Sequence, residues 1–189
     1  METTETPALG DRLNNLVAVT VALLSVFMAI TKVKDDNICQ AMLQAKSDSV
    51  DTWNEYQSKR LKHHLVETAR DQADALSLGV SAEAAARLRE QMRTDDLEIK
   101  KYEVEEPQLS AKARRFEETY DALNYRDDQF DLSDAALSIS LGLLAVTALT
   151  RKRWLLVFSW SVGGLGALMG LAGLLGLHLH PDWLTKLLS

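Results

Sequence analysis

Two places in the sequence put histidine next to another potential metal ligand. His63 and Glu67 stand four residues apart, so on a helix an imidazole and a carboxylate share one face, which is half of a zinc-type site. Two ligands do not hold a metal, and no HExxH pattern completes the set. A solvated helix face is the plainer account of His63 and His64. His178 and His180, in HLHP, can converge on an ion only in extended chain, and a histidine pair at a membrane interface beside a stop proline explains them as well. The single cysteine, Cys39, follows Asp35 and Asp36, whose charges raise a thiol's pKa and disfavour a nucleophilic thiolate. One cysteine also leaves no intramolecular disulfide and no multi-cysteine zinc site. No GxSxG elbow, P-loop or GxGxxG loop is present. The expectation is therefore a protein with no catalytic residues, no metal ligands and no cofactor, and not an enzyme.

The elements that carry these residues are clearer than any chemistry. Of 48 charged residues, 21 basic and 27 acidic, 39 lie between Lys32 and Asp134, which splits the 189-residue chain into apolar ends and a charged middle. A net charge of −6 argues against a nucleic-acid partner, which needs a basic footprint. Nine Gly and three Pro leave little room for the turns of an all-β fold.

Residues 16–30 form a charge-free run, and with uncharged flanks the segment 13–31 is long enough to cross a ~30 Å hydrocarbon core at ~1.5 Å per residue. The acidic leader, residues 1–12, and the lack of a small-x-small site after the run favour an uncleaved anchor over a signal peptide. Residues 135–150 are a second apolar block and 154–177 a third, joined only by Arg151, Lys152 and Arg153. Such a linker predicts a tight transmembrane hairpin, with Trp154 and Trp183 near the two ends of the third span. No Asp, Glu, Lys, Arg or His stands inside a span, which argues against an ion- or proton-coupled pump.

The middle, residues 32–134, reads as an extramembrane helical hairpin. No Gly or Pro occurs from residue 11 to 78, Gly79 offers a stop, and Ser81 an N-cap before an alanine-rich start. Glu55–Lys59, Glu83–Arg87 and Asp96–Lys100 have helical ion-pair spacing. Pro107 is expected to interrupt the return arm. Beyond it Leu109, Ala113, Phe116, Tyr120 and Leu123 step by four and three as a coiled-coil seam. Trp53, Tyr56, Leu61 and Leu65 are the large candidates for the facing seam, and Trp53 with Tyr56 could also anchor a partner protein.

Small residues recur in every span. Ala18, Ala22, Ser25 and Ala29 mark the first; Ala135, Ser138, Gly142 and Ala145 the second; Ser159, Gly163, Gly166, Gly170 and Gly173 the third. Such faces let helices approach closely in lipid. The expectation is that the glycine face serves the hairpin of spans two and three, and that the face of span one meets a neighbouring subunit.

At VDTWNEYQSKRLKHHLVE, residues 50–67, and at LTRKRW, residues 149–154, the chain resembles a bacterial membrane-protein family known as domain of unknown function 4337. The resemblance covers residues 16–177: an N-terminal span, a W..YQ.K stretch, a charged hairpin and two spans joined by a basic turn. It implies an uncleaved first span and a bacterial inner-membrane setting, and it carries over no catalytic residue.

The sequence thus predicts an all-α protein of three transmembrane helices, with a coiled-coil-like hairpin between spans one and two and a tail at 178–189. Its expected role is a non-enzymatic, homo-oligomeric scaffold or an accessory subunit of a larger membrane complex, with membrane lipid as its other partner. The alternative is a channel-like homo-oligomer, which should turn Ser138, Ser140 or Thr147 toward a pore. Arg151–Arg153 in a short loop place that turn and the N-terminus in the cytoplasm and the hairpin outside, although Lys32 and Lys34 pull the other way.

Overall fold

The structure, a computed structural model, describes residues 9–177; the leader to residue 8 and the tail from residue 178, with His178, His180 and Trp183, lie outside the described residues. The described residues form three helices and no strand: α1 (Leu9–Ser77), α2 (Ala82–Thr150) and α3 (Arg153–Leu175). Each contains a stretch long and apolar enough to cross a membrane, so the chain is all-α with three candidate spans.

The absence of Gly and Pro from residue 11 to 78 is enough to keep α1 continuous. At the turn, Ser81 caps α2 as its spacing predicts: its Oγ accepts from the Ala84 N–H at 3.4 Å and its carbonyl from the Ala85 N–H at 2.9 Å. Pro107 does not interrupt α2, contrary to expectation. A proline deprives the carbonyl four residues back of its donor. Here Glu103 and Pro107 are both exposed, which leaves that carbonyl open to water rather than buried.

The basic linker is tighter still. Arg151 adopts a left-handed conformation, φ 56°, and donates its N–H to the Thr147 carbonyl at 2.8 Å, closing α2 with an αL cap made without glycine. Gly176, φ 67°, ends α3 in the usual way, and the Leu177 N–H reaches the Ala172 carbonyl at 2.9 Å.

The chain divides into two compact bodies. Among the described residues, one comprises 9–42 together with 121–177; the other is Leu43–Tyr120. In the first, Leu13, Val17, Leu144 and Leu156 form a buried cluster ringed by Val21, Leu24, Leu141 and Ala148, so all three helices contribute to one core.

In the second body the two arms meet along heptad seams. On α2, Ala85, Leu88, Met92, Ile99, Tyr102, Leu109, Ala113, Phe116 and Tyr120 are buried or half-buried, and Ala113 is fully enclosed. Of the facing seam expected on α1, Trp53 and Tyr56 are half-buried, but its two leucines turn outward. Leu61 and Leu65 are more than 60 % exposed. The inward positions are Ala45, Ser49, Thr52, Tyr56, Lys59, His63 and Val66, at steps of three and four, and Ala73 one heptad on. The register is heptad, but apart from Tyr56 and Val66 its members are small or polar.

Candidate helix-packing and interaction site

The glycine face of α3 is where the first body is tightest. A Cβ at Gly166 would lie 2.9 Å from Ala136 Cβ and 3.1 Å from the Leu137 backbone nitrogen. At Gly163 it would lie 2.6 Å from Ser140 Oγ and 3.2 Å from Leu24 Cδ1. At Gly170 it would meet Ser133 Oγ at 2.6 Å and the Phe27 ring at 2.9 Å, and at Gly173 the Phe130 ring at 2.9 Å. All four glycines therefore face α2 of the same chain, and Gly163 and Gly170 face α1 as well, at distances only a bare backbone allows.

Span two contributes a different face from the one its small residues suggest. Gly142 has nothing within 4 Å of a would-be Cβ, and Ala135, Ser138 and Ala145 are exposed with it. The packed line is Phe130, Ser133, Leu137, Ser140, Leu144 and Thr147, all fully or nearly fully buried. Its larger side chains fill the space that the glycines of α3 leave, a large-against-small arrangement that two small faces could not make. On α1 the stripe Ala18, Ala22, Ser25 and Ala29 is likewise exposed, while Leu13 and Val17 point into the core.

Two serines tie α2 to α3 inside the apolar layer. Ser140 Oγ donates to the Ser159 carbonyl and Ser159 Oγ to the Ser140 carbonyl, both at 2.9 Å, with the two hydroxyl oxygens also 2.9 Å apart. Neither residue is exposed. A buried hydroxyl without a partner is costly in apolar surroundings, and the reciprocal arrangement satisfies both at once. Trp160 Nε1 donates to Thr20 Oγ1 at 3.1 Å, a weaker tie from α3 to α1.

At the other end of α3, side chains of α2 take up one carbonyl of its last turn and one just past its cap. Arg126 donates to the Gly173 carbonyl at 2.9 Å and Gln129 Nε2 to the Leu177 carbonyl at 2.8 Å. A guanidinium at a helix C-terminus also complements the helix dipole. Nothing in the sequence spacing identifies Arg126 and Gln129 for this role, because the pairing joins residues 47 and 48 positions apart.

A group of carboxylates lies beside Arg126 in sequence. Asp35 is buried and accepts from Lys32 Nζ at 2.8 Å. Burial, together with the charges of Asp131 and Asp35, raises the Asp127 carboxyl above its ordinary range. Burial and Asp35 raise Asp131 in the same way. Cys39 Sγ donates to Asp127 Oδ1 at 3.4 Å, and desolvation followed by that bond pushes the thiol up. The sequence expectation of an unreactive thiol agrees in direction, with Asp127 an additional and unforeseen cause.

In the second body His63 is mostly buried. Its Nδ1 lies 2.7 Å from Glu106 Oε1, and its Nε2 lies 3.6 Å from Glu67 Oε1, so the expected His63–Glu67 pairing is present but joined by a carboxylate from α2. Glu67 also accepts from His64 Nδ1 at 2.9 Å. No set of three or more candidate ligands among the described residues has metal-binding geometry. Lys59 pairs with Glu105, which raises the lysine's pKa and lowers the carboxylate's, and Arg70 bonds Asp96 at 3.2 Å. Trp53 packs edge-on against Tyr56 with centroids 5.4 Å apart and donates Nε1 to Glu117 Oε1 at 2.8 Å. Lys46 stands 5.4 Å from the centroid of the Tyr120 ring. Trp53, Tyr56, Leu109, Phe116 and Tyr120 thus belong to the contact between the arms, while Leu123 is half-buried in the first body.

No curated protein and no solved structure matches the chain. One family does, over residues 13–176, from the start of the first span to the cap of the third helix. That stretch holds the glycine face, the serine pair and both arms, so the match covers the architecture rather than one motif. The chain belongs to the family described as domain of unknown function, DUF4337.

Proposed function

We propose that this protein is a non-enzymatic membrane scaffold that works by assembly, as a homo-oligomer or as an accessory subunit of a larger membrane complex. The observation that carries the reading is the division of small-residue faces in the first body. The glycines of α3 are already occupied by α1 and α2, whereas Ala18, Ala22, Ser25 and Ala29 of α1 present an uncovered face at the same kind of spacing. Small residues gain nothing from contact with lipid, but they let a further helix approach closely. A bacterial inner membrane is the setting, with the N-terminus and the Arg151–Arg153 turn cytoplasmic and the hairpin outside.

The second reading is a channel-like homo-oligomer. Against it, Ser140 and Thr147 are wholly buried within the chain's own helices, which leaves Ser138 as the exposed member of the three polar residues that span two could offer a pore. Ion flux into proteoliposomes separates the two. The scaffold reading expects flux no greater than in empty liposomes, and flux that scales with reconstituted protein contradicts it.

A further inference from the structure

Each arm of the hairpin has an outer face, opposite its own heptad seam. On α1, Asn54, Leu61 and Thr68 stand one heptad apart on the side away from Thr52, Lys59 and Val66, and all three are exposed. On α2, Leu97, Val104 and Ala111 form the matching outer column, with Leu97 65 % and Val104 59 % exposed. The charges beside these columns differ. Positions three and four residues from the α1 column hold Asp51 and Asp71 and no Lys or Arg. Those beside the α2 column hold Arg93, Lys100, Lys101, Arg114 and Arg115 and no Asp or Glu. The cross-arm pairs Lys59–Glu105 and Arg70–Asp96 set the relative height of the arms. By them Leu61 stands level with Val104, and Thr68 with Leu97.

We propose that the outer face of α1 packs against the outer face of α2 of a second copy, set beside the first in the same membrane. α1 and α2 each run unbroken from a candidate span into an arm, so copies inserted alike hold their arms in the same sense and at one height. α1 of one copy is then antiparallel to α2 of the next without any change of level. Leu61 meets Val104, Thr68 meets Leu97, and Leu65 falls between Val104 and Leu97. In antiparallel helices each flank faces its own counterpart. Asp51 therefore lies opposite Arg115 on one flank, and Asp71 opposite Arg93 on the other. Like faces have no such match. Two α2 faces held in the same sense set Lys100 beside Lys101 and Arg114 beside Arg115 of the second copy, and two α1 faces bring no basic side chain to either aspartate. Because the two outer faces lie on opposite sides of one hairpin, the contact is head-to-tail and continues from copy to copy.

This contact deepens the scaffold reading and rests on it. The test uses the full chain in its membrane, with Cys39→Ser as background and oxidative cross-linking of introduced cysteines. Co-expressed Leu61→Cys and Val104→Cys chains give a mixed dimer, and neither variant alone gives one. A chain carrying both cysteines gives a ladder that extends beyond the dimer. Adding Asp51→Arg to the Leu61→Cys chain lowers the mixed-dimer yield about two- to five-fold, the scale of an exposed ion pair, and Arg115→Asp in the Val104→Cys chain restores it. Single variants that cross-link as well as the mixed pair mean that like faces meet, and overturn the proposal. So do a ladder that stops at the dimer, a yield that Arg115→Asp leaves lowered, or a cross-link to a different protein in place of the mixed dimer. No cross-link, with an oligomeric native mass, overturns this contact and leaves the scaffold reading standing. A monomeric native mass with no other subunit bound overturns both.

Discussion

Ser140 on α2 and Ser159 on α3 exchange hydroxyl-to-carbonyl hydrogen bonds, each at 2.9 Å, and both residues are fully buried. Losing one side of this clasp removes one donor and leaves the other serine a poorer environment. Interhelical hydrogen bonds within membranes average about 0.6 kcal/mol, with ~1.7 kcal/mol near the upper end. Ser140→Ala and Ser159→Ala should each cost about 1 kcal/mol, and the double variant less than the sum, because the two bonds share the same pair. Unfolding of the full chain in lipid or detergent measures it; strict additivity would mean that the serines act independently.

The glycines of α3 should differ in sensitivity according to what they touch. At Gly166 the nearest atoms include the Leu137 backbone, which cannot rotate away, while at Gly170 they are the Ser133 hydroxyl and the Phe27 ring. Gly166→Ala should therefore destabilise by about 1–3 kcal/mol, the range for overpacking, and more than Gly170→Ala. Gly142→Ala and Gly164→Ala meet nothing within 4 Å and should cost no more than a few tenths. The readout is folded yield and thermal midpoint of the full chain, and equal losses at Gly142 and Gly166 would contradict the packing described here.

Much of this was legible in the sequence because it depends on composition over long stretches. The charge-free blocks gave three spans, the absence of Gly and Pro gave a continuous α1, and the glycine spacing of α3 marked a real packing face. What failed was the identity of the partners. Gly142 was expected to pack, but close contact with a glycine face calls for side chains that fill it, and Leu137 and Ser140 do so. Leu61 and Leu65 were expected between the arms because they are apolar. Ala113 on α2 is fully enclosed, and the buried positions on α1 are the small or polar Ala45, Ser49 and Thr52, while the leucines turn outward. Arg126 could not be matched to Gly173 at all, since side-chain capping across helices has no sequence period.

In the contact between the arms, Ala113 should be the critical residue rather than the large aromatics. It is fully enclosed, whereas Phe116 keeps part of its ring in water. Ala113→Leu should lower the thermal midpoint of the full chain more than Phe116→Ala does, through overpacking of about 1–3 kcal/mol. Leu61→Ala should leave the monomer fold unchanged within ~0.5 kcal/mol.

Acidity should stabilise the end of the first body that holds Asp127 and Asp131. Both carboxyls are raised, chiefly by desolvation, so between the ordinary carboxylate range and the raised values the folded chain binds more protons there than the unfolded chain. Their ionisation weakens the fold as pH rises through the raised values, and the penalty is absent once pH falls below the ordinary carboxylate range. Asp127→Asn should therefore melt above the wild type near neutral pH and lose that advantage in acid. An advantage that persists in acid would mean that charge is not its cause.

The central claim is that the protein acts by assembling through faces its own helices leave uncovered. Native mass spectrometry of the full chain, extracted with its surrounding lipid, tests this most directly because it reports stoichiometry and bound partners together. A mass at a multiple of the 21.0 kDa chain, or a chain bound to another membrane protein, is the predicted result. A single 21.0 kDa chain with lipid alone, at concentrations matching those in the membrane, would contradict it.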